Sequence, residues 1–372
     1  MMPGNRVCII TTVHGAFDDR IFHKEGKTLK KKYNVTLIAP HNGNATVDGI
    51  KIVALPKATN RFLRMVVLGT ISFLFAMREK ADVYHFHDPE LLIIGLLLKI
   101  FTGKKIIYDV HEDYTAAIHD KYWLPKVARN SVARAFGAAE NLCAKFFFDG
   151  IIAATPEIAR KFPAEKTLAI RNMPVYDMIF KTRPLNIKKE KPVMIYAGGL
   201  SEFRGIKEII MAVGLLEGSV DLWLLGPWET EEFRIECEAL NGWQYASYHG
   251  VKSLNEVYGY MKAADMGVHC TYLLQRYQKA LPVKYFEYLA CGIPAILSVS
   301  AYWEELFHNC ALFADPRSPE DIAVNIIKLI QNTGLREHLV ANGRKLIEGE
   351  YNWETEGKTL LGAYEKLLMA FN

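Results

Sequence analysis

The chain has 372 residues, 50% hydrophobic and 23% charged, with a formal net charge of +4; this is too long for one ordinary core and too evenly mixed for a disordered or fibrous protein. Six scattered cysteines with no CxxC pair argue against a disulfide scaffold or a cysteine-rich zinc module, and for free thiols in a reducing cytoplasm. Residues 1–175 carry 25 Lys+Arg against 16 Asp+Glu and the remainder 20 against 25, so only the first half is expected to face an anionic partner; without an interleaved basic–aromatic stripe, no nucleic-acid partner is expected.

The first residues lack the basic-then-apolar pattern of a signal peptide. The longest uncharged apolar run, residues 65–77, falls short of the ~18–20 residues that span a bilayer. Strands are expected at "RVCIITTV" (6–13), "YNVTLIA" (33–39), "GIKIVAL" (49–55), "DVYHFH" (82–87), "KKIIYDV" (104–110) and "DGIIAA" (149–154). Helical patterns fall between most of them, at 61–79, 89–101 and 126–147, which predicts a parallel sheet covered on both faces. The stretch 172–192, with three prolines and a run of lysines, predicts a linker. Beyond it strands are expected at "VMIYAGG", "VDLWLLG", "YASYHG", "DMGVHCT" and "IPAILS", with helices between them and three helical stretches to the end.

The expected fold class is therefore α/β, with two Rossmann-like doubly wound domains in series facing across a cleft. Ligands of such sheets bind beyond the carboxyl ends of strands, which selects the loops 14–20, 85–90, 111–114, 198–205 and 272–282.

Each motif in those loops has a plain reading beside a functional one. Gly198 and Gly199 after a strand, with Arg204 and Gly205 opening a helix, either cradle a phosphate or make an ordinary glycine turn with an exposed arginine. The helix of "LPVKYFEYLACGIP" carries Lys284 and Glu287 on one face with Tyr288 and Cys291, opposite a core stripe of Val283, Phe286, Leu289 and Ala290. Alone, the pair reads as a solvated i,i+3 ion pair worth about 0.2–0.5 kcal/mol. Pro282 at the expected first helical position aims the positive end of the helix dipole at whatever the preceding loop holds. His85, His87, Asp88, His111, Glu112 and Asp113 cluster at two strand ends, but nothing in their spacing requires a metal, and none is expected. Two apolar helices with basic residues, 60–80 and 124–147, either cover the sheet or touch anionic lipid.

Taken in order, these segments resemble the retaining GT-B glycosyltransferases of family 4 (glycosyl transferases group 1), in particular bacterial enzymes of surface-polysaccharide assembly. The resemblance rests on "RVCIITTVHGAFDDRIFHKEGKTLKKKYNVTLIAP", "DVYHFHDPELL", "KKIIYDVHEDY", "AIRNMPVYDMIF", "YAGGLSEFRGIKEII", "LPVKYFEYLACGIPAIL" and "YNWE". It implies an acceptor-binding domain over 1–175, onto which the C-terminal helix 354–372 packs back, and a nucleotide-sugar domain over 176–353. It implies that Glu287 holds the donor ribose, that Arg204 contacts the diphosphate, and that His111 lies near the transferring sugar. The Gly15 loop would approach donor phosphate and acceptor, with Gly198, Gly199, Pro282 and Lys284 also on the donor side and His87, Asp88 and Glu112 on the acceptor side. Two positions depart from the family: Lys279 stands where its first glutamate is usual, and Gly199 where an arginine is usual.

The implied activity is metal-independent, retaining transfer from a nucleotide-diphosphate sugar, a UDP-sugar in preference to a GDP-sugar, to a saccharide or lipid-linked saccharide. No cofactor is implied, and the implied location is the cytoplasm at the inner membrane face with peripheral lipid contact. A non-catalytic GT-B subunit and a sugar-nucleotide epimerase are the alternatives.

Overall fold

The computed structural model describes residues 5–58, 60, 61, 63–119, 124–273 and 280–369. The chain divides into two compact units, Met1–Asn172 with Thr355–Asn372, and Met173–Glu354.

The first unit is built on strands β1 (Arg6–Ile10), β2 (Asn34–Pro40), β3 (Ala45–Val47), β4 (Ile50–Leu55), β5 (Val83–Phe86), β6 (Lys105–Val110), β7 (Gly150–Ala153) and β8 (Thr167–Ala169). Their order is β3-β4-β2-β1-β5-β6-β7-β8. Every pairing is parallel except β3 with β4. The apolar, β-branched runs are buried on both faces, as a helix-covered parallel sheet requires. The order reverses between β1 and β5, so the loops after these two strands part and leave a crevice at their carboxyl ends.

The second unit repeats the plan with β9 (Val193–Ala197), β10 (Asp221–Leu225), β11 (Ala246–Gly250), β12 (Met266–His269), β13 (Ala295–Ser298) and β14 (Ala311–Ala314), ordered β11-β10-β9-β12-β13-β14 and all parallel. Here the switch lies between β9 and β12, which places the loops from Gly198 and from Cys270 side by side.

Three strands escape the sequence pattern. β3 and β8 are three residues long, and β14 is four, within a stretch expected to be helical. The expected linker is also more structured than its prolines suggest. Met173 and Ile179 are fully buried in the second unit's core, Tyr176–Lys181 is a helix, and the Leu185 amide donates to Gly259. The chain leaves the second unit beside this segment: the Glu354 carboxylate accepts from the Tyr176 and Asp177 amides. Two residues on, within the first unit, the Glu356 carboxylate accepts from Arg171 through its amide and Nε.

Among the described residues no helix is long and apolar enough to cross a membrane.

Candidate functional site

In the second unit the loop after β9 is set by Gly205. Its φ of +66° opens the helix Ile206–Leu215, and a Cβ there would lie 2.2 Å from the Cys270 carbonyl oxygen. The close approach locks the Arg204 loop against the end of β12. The Tyr272 amide donates to Phe203 across the same seam. Tyr196 donates its hydroxyl to the Gly199 carbonyl at 3.0 Å and lies beside Arg204; burial raises its pKa to about 12, so it remains a phenol. Gly199 itself has open space where a Cβ would stand.

The helix Val283–Cys291 begins one residue after Pro282, with Pro282 as the capping residue. Its burial differs from the amphipathic stripe expected: Tyr285, Phe286, Glu287, Tyr288 and Leu289 are all buried, while Val283 and Ala290 are half-buried. Tyr288 is the reason. Its ring fills the space left by Gly267 and its hydroxyl bridges β9 and β12, donating to main-chain oxygen of Ile195 or Val268. The neighbouring face is thereby drawn inward. Glu287, 4% exposed, receives Lys284 Nζ on Oε2 at 2.8 Å and the Tyr258 hydroxyl on Oε1 at 3.1 Å. The pair is buried at the carboxylate and half-buried at the ammonium, a different arrangement from the solvated ion pair the spacing alone suggests.

His269 is the last residue of β12 and is buried. Burial first, then the nearby Arg204 and Lys284 cations, depress its pKa to about 3. Two cations thus act on a dry, neutral imidazole at the switch point of the second sheet, one of them, Lys284, already paired with Glu287. His269 carries no motif that singles it out in the sequence. Lys279 lies outside the described residues.

In the first unit the loop after β1 folds over Asp88. Its Oδ2 accepts from the Thr12 and Val13 amides at 2.6 and 3.2 Å and from the Thr11 hydroxyl at 2.9 Å. Asp88 is 2% exposed, so it shapes the Gly15 loop from within. Gly15 and Glu112 are exposed. His14 bonds Asp18 at 3.0 Å, and its ring lies 5.5 Å from that of His111. The hydrogen bond to Asp18 raises the His14 pKa, whereas burial lowers that of His111 to about 4.

His87 is fully buried beneath His111, their Nδ1 and Nε2 atoms 3.0 Å apart. Below them lies a buried polar cluster. Arg20 bonds both Asp109 oxygens through Nη2, at 3.0 and 3.1 Å, and pairs through Nε with Glu25 at 2.9 Å. Burial pushes Asp109 up, but the Arg20 guanidinium and the adjoining imidazoles outweigh it and hold the carboxylate well below its ordinary range. His85 shares a 2.8 Å bond with the Tyr364 hydroxyl. Glu25, His85, His87 and Asp109 bring metal-ligand atoms within 4.8 Å of one another; of the six strand-end residues weighed from the sequence, only His85 and His87 belong to this set. Arg20, Glu25 and Tyr364 come from distant segments and no local spacing reveals them. Asp109, a charge inside an apolar strand, is the one visible signal.

Two parallel-sheet α/β units in one chain, each with its crevice at a topological switch, form the GT-B fold. Sucrose-phosphate synthase of Thermosynechococcus elongatus superposes with a TM-score of 0.77 at 15% identity, covering 98% of this chain and 100% of that one. HepE of Anabaena, solved with UDP-glucose, gives 0.74 at 13% identity over 97% and 99%. Residues 177–346 match the family described as Glycosyl transferases group 1. An uncharacterized glycosyltransferase of Methanocaldococcus jannaschii is 21% identical over 314 residues, 77% of this chain and 76% of the relative. Together they support a GT-B glycosyltransferase.

Proposed function

We propose that the chain transfers a sugar, with retention of anomeric configuration, from a nucleotide-diphosphate sugar to a saccharide or lipid-linked saccharide in cell-surface polysaccharide synthesis. The observation that carries this reading is that Arg204 and the Lys284–Glu287 pair both lie near His269 at the end of β12, inside the segment that matches the glycosyl transferases group 1 family. The second unit takes the donor. Glu287 has lone pairs left beyond those used by Lys284 and Tyr258, and these accept the ribose hydroxyls. Arg204, Lys284 and the N-terminus of the helix after Pro282 balance the charge that develops on the leaving diphosphate, without a metal. Gly198 and Gly199 let the main chain approach the phosphates. A UDP-sugar is favoured over a GDP-sugar, in line with HepE binding UDP-glucose.

The first unit takes the acceptor. His111, neutral and partly exposed beside the Gly15 loop, orients the reacting hydroxyl; Glu112 is the exposed polar group next to it. His87 and Asp88 act from beneath. Exposed Met65, Val66, Ile93, Ile100 and Phe101 in the basic half support peripheral contact with an anionic inner membrane face.

The test is incubation of the purified protein with UDP-sugars and saccharide acceptors, followed by NMR of the product. A new linkage with the donor's anomeric configuration is expected; an inverted linkage, or turnover of the nucleotide sugar to an epimer without acceptor, would overturn the reading.

A further inference from the structure

We propose that His87 is a positioning residue that fixes His111 as the tautomer protonated on Nε2, leaving the Nδ1 lone pair as the atom offered at the strand ends. The inference rests on the reading of His111 as a substrate-facing group and specifies how it acts: as a hydrogen-bond acceptor for a sugar hydroxyl, not as a donor.

One proton is shared across the 3.0 Å contact between His87 Nδ1 and His111 Nε2. Asp109 Oδ1 lies 3.5 Å from the same His111 Nε2. Asp109 is held as an anion by two bonds from Arg20 and can only accept. A proton on His111 Nε2 therefore points at an imidazole lone pair beside a carboxylate. The reverse assignment would turn a lone pair toward that fully buried anion.

The far side of His87 agrees. With Nδ1 accepting, its proton sits on Nε2, which faces Glu25 Oε2 at 3.6 Å. His85 follows the same sense: Nδ1 accepts from the Tyr364 hydroxyl at 2.8 Å, and Nε2 faces Asp109 Oδ2 at 3.6 Å. His85 Nε2, His87 Nε2 and Glu25 Oε2 are buried and make no hydrogen bond among the described residues, while Glu25 Oε1 has only its ion pair with Arg20. This set of tautomers turns His85 Nε2 and His111 Nε2, as proton carriers, toward the Asp109 anion; the opposite set would turn both lone pairs toward it. His111 Nδ1 has no partner among the described residues and belongs to a ring that is 19% exposed.

The same four side chains, Glu25, His85, His87 and Asp109, have the composition of a divalent metal site. Arg20 already supplies a cation between the two carboxylates. A metal would also demand bare Nε2 atoms on both histidines and protons on their Nδ1 atoms, the opposite of the assignment made here. The tautomers therefore separate the two possibilities.

The experiment is a two-bond proton–nitrogen correlation spectrum of the full-length, histidine-labelled protein at pH 7, with metal analysis of the same sample. The expected result is a protonated Nε2 and bare Nδ1 on His111, a protonated Nε2 on His87, and no stoichiometric divalent ion. His87→Phe should release His111 into mixed tautomers and lower kcat about tenfold, with the donor KM within about twofold. His87→Asn, whose carbonyl can accept from His111, should restore both. A protonated Nδ1 on wild-type His111, or a bound metal with His87 Nε2 bare, overturns the proposal, and it does so even where His87→Phe fails to fold. The expected tautomers in a protein that transfers no sugar would leave this assignment standing and remove the glycosyltransferase reading instead.

Discussion

Lys284 Nζ meets Glu287 Oε2 at 2.8 Å, with the carboxylate buried and its other oxygen receiving Tyr258. The pair joins structure and proposed binding, so the two roles separate by substitution. Glu287→Gln keeps a hydrogen-bonding group in place, removes the charge, and should raise the donor KM about tenfold with kcat nearly unchanged. Glu287→Ala also strips the Tyr258 hydroxyl and Lys284 of a partner, and should cost about 2 kcal/mol in urea unfolding. A glutamine variant with wild-type donor KM would leave Glu287 a purely structural residue.

Gly205 holds the Arg204 loop through both its positive φ and its approach to the Cys270 carbonyl. Gly205→Ala has to displace main chain, not a flexible side chain. Stability should fall by more than ~2 kcal/mol, with nucleotide binding weakened more than in Arg204→Ala alone. Urea titration and calorimetry on the same sample check both halves.

At Gly199 the reverse holds, since a Cβ meets nothing within 4 Å. Gly199→Arg should leave unfolding free energy within ~0.5 kcal/mol of wild type. With Arg204 and Lys284 both assigned to the diphosphate, UDP affinity should stay within about twofold of wild type; several-fold tighter binding would show that Lys284 does not serve as the second cation.

His269 and His111 should each draw stability down in mild acid, against the opposite pull of Glu140, whose pKa burial raises to about 7. The folded pKa values of His269 and His111 are depressed to about 3 and about 4, both chiefly by burial, below an unfolded value near 6.5. The unfolded chain therefore binds more protons below pH 6.5. Stability is fully present above that pH and falls by ~1.4 kcal/mol per pH unit for each group as pH drops toward its folded value. Denaturant midpoints at pH 7, 5.5 and 4.5 measure the slope. His269→Asn should flatten it by the share of one group.

How much of this was legible in the sequence differs between levels of structure. Long β-branched runs such as "KKIIYDV" announce buried parallel strands, and they alternate with helices plainly enough to give two doubly wound sheets. β3, β8 and β14 fail the same test because three or four residues carry no periodicity, and pairing with a neighbour is what makes them strands. At the candidate site, Arg204 and Gly205 stand out through their place at a helix start, and Glu287 as a charge within an otherwise apolar helix. The burial of Glu287 does not, because it follows from Tyr288 filling the space over Gly267. Nor does the Arg20–Asp109–Glu25 cluster: Arg20 and Asp109 are 89 residues apart and meet only when β6 is laid beside β5.

The central claim is that the β9 and β12 loops of the second unit bind a nucleotide-diphosphate sugar. Isothermal calorimetry of the full-length protein with UDP, GDP and ADP tests it most directly, with Arg204→Ala alongside. One UDP per chain, bound more tightly than GDP or ADP and at least tenfold more weakly by the variant, is the expected result. No binding of any nucleoside diphosphate, or equal binding by Arg204→Ala, would contradict it.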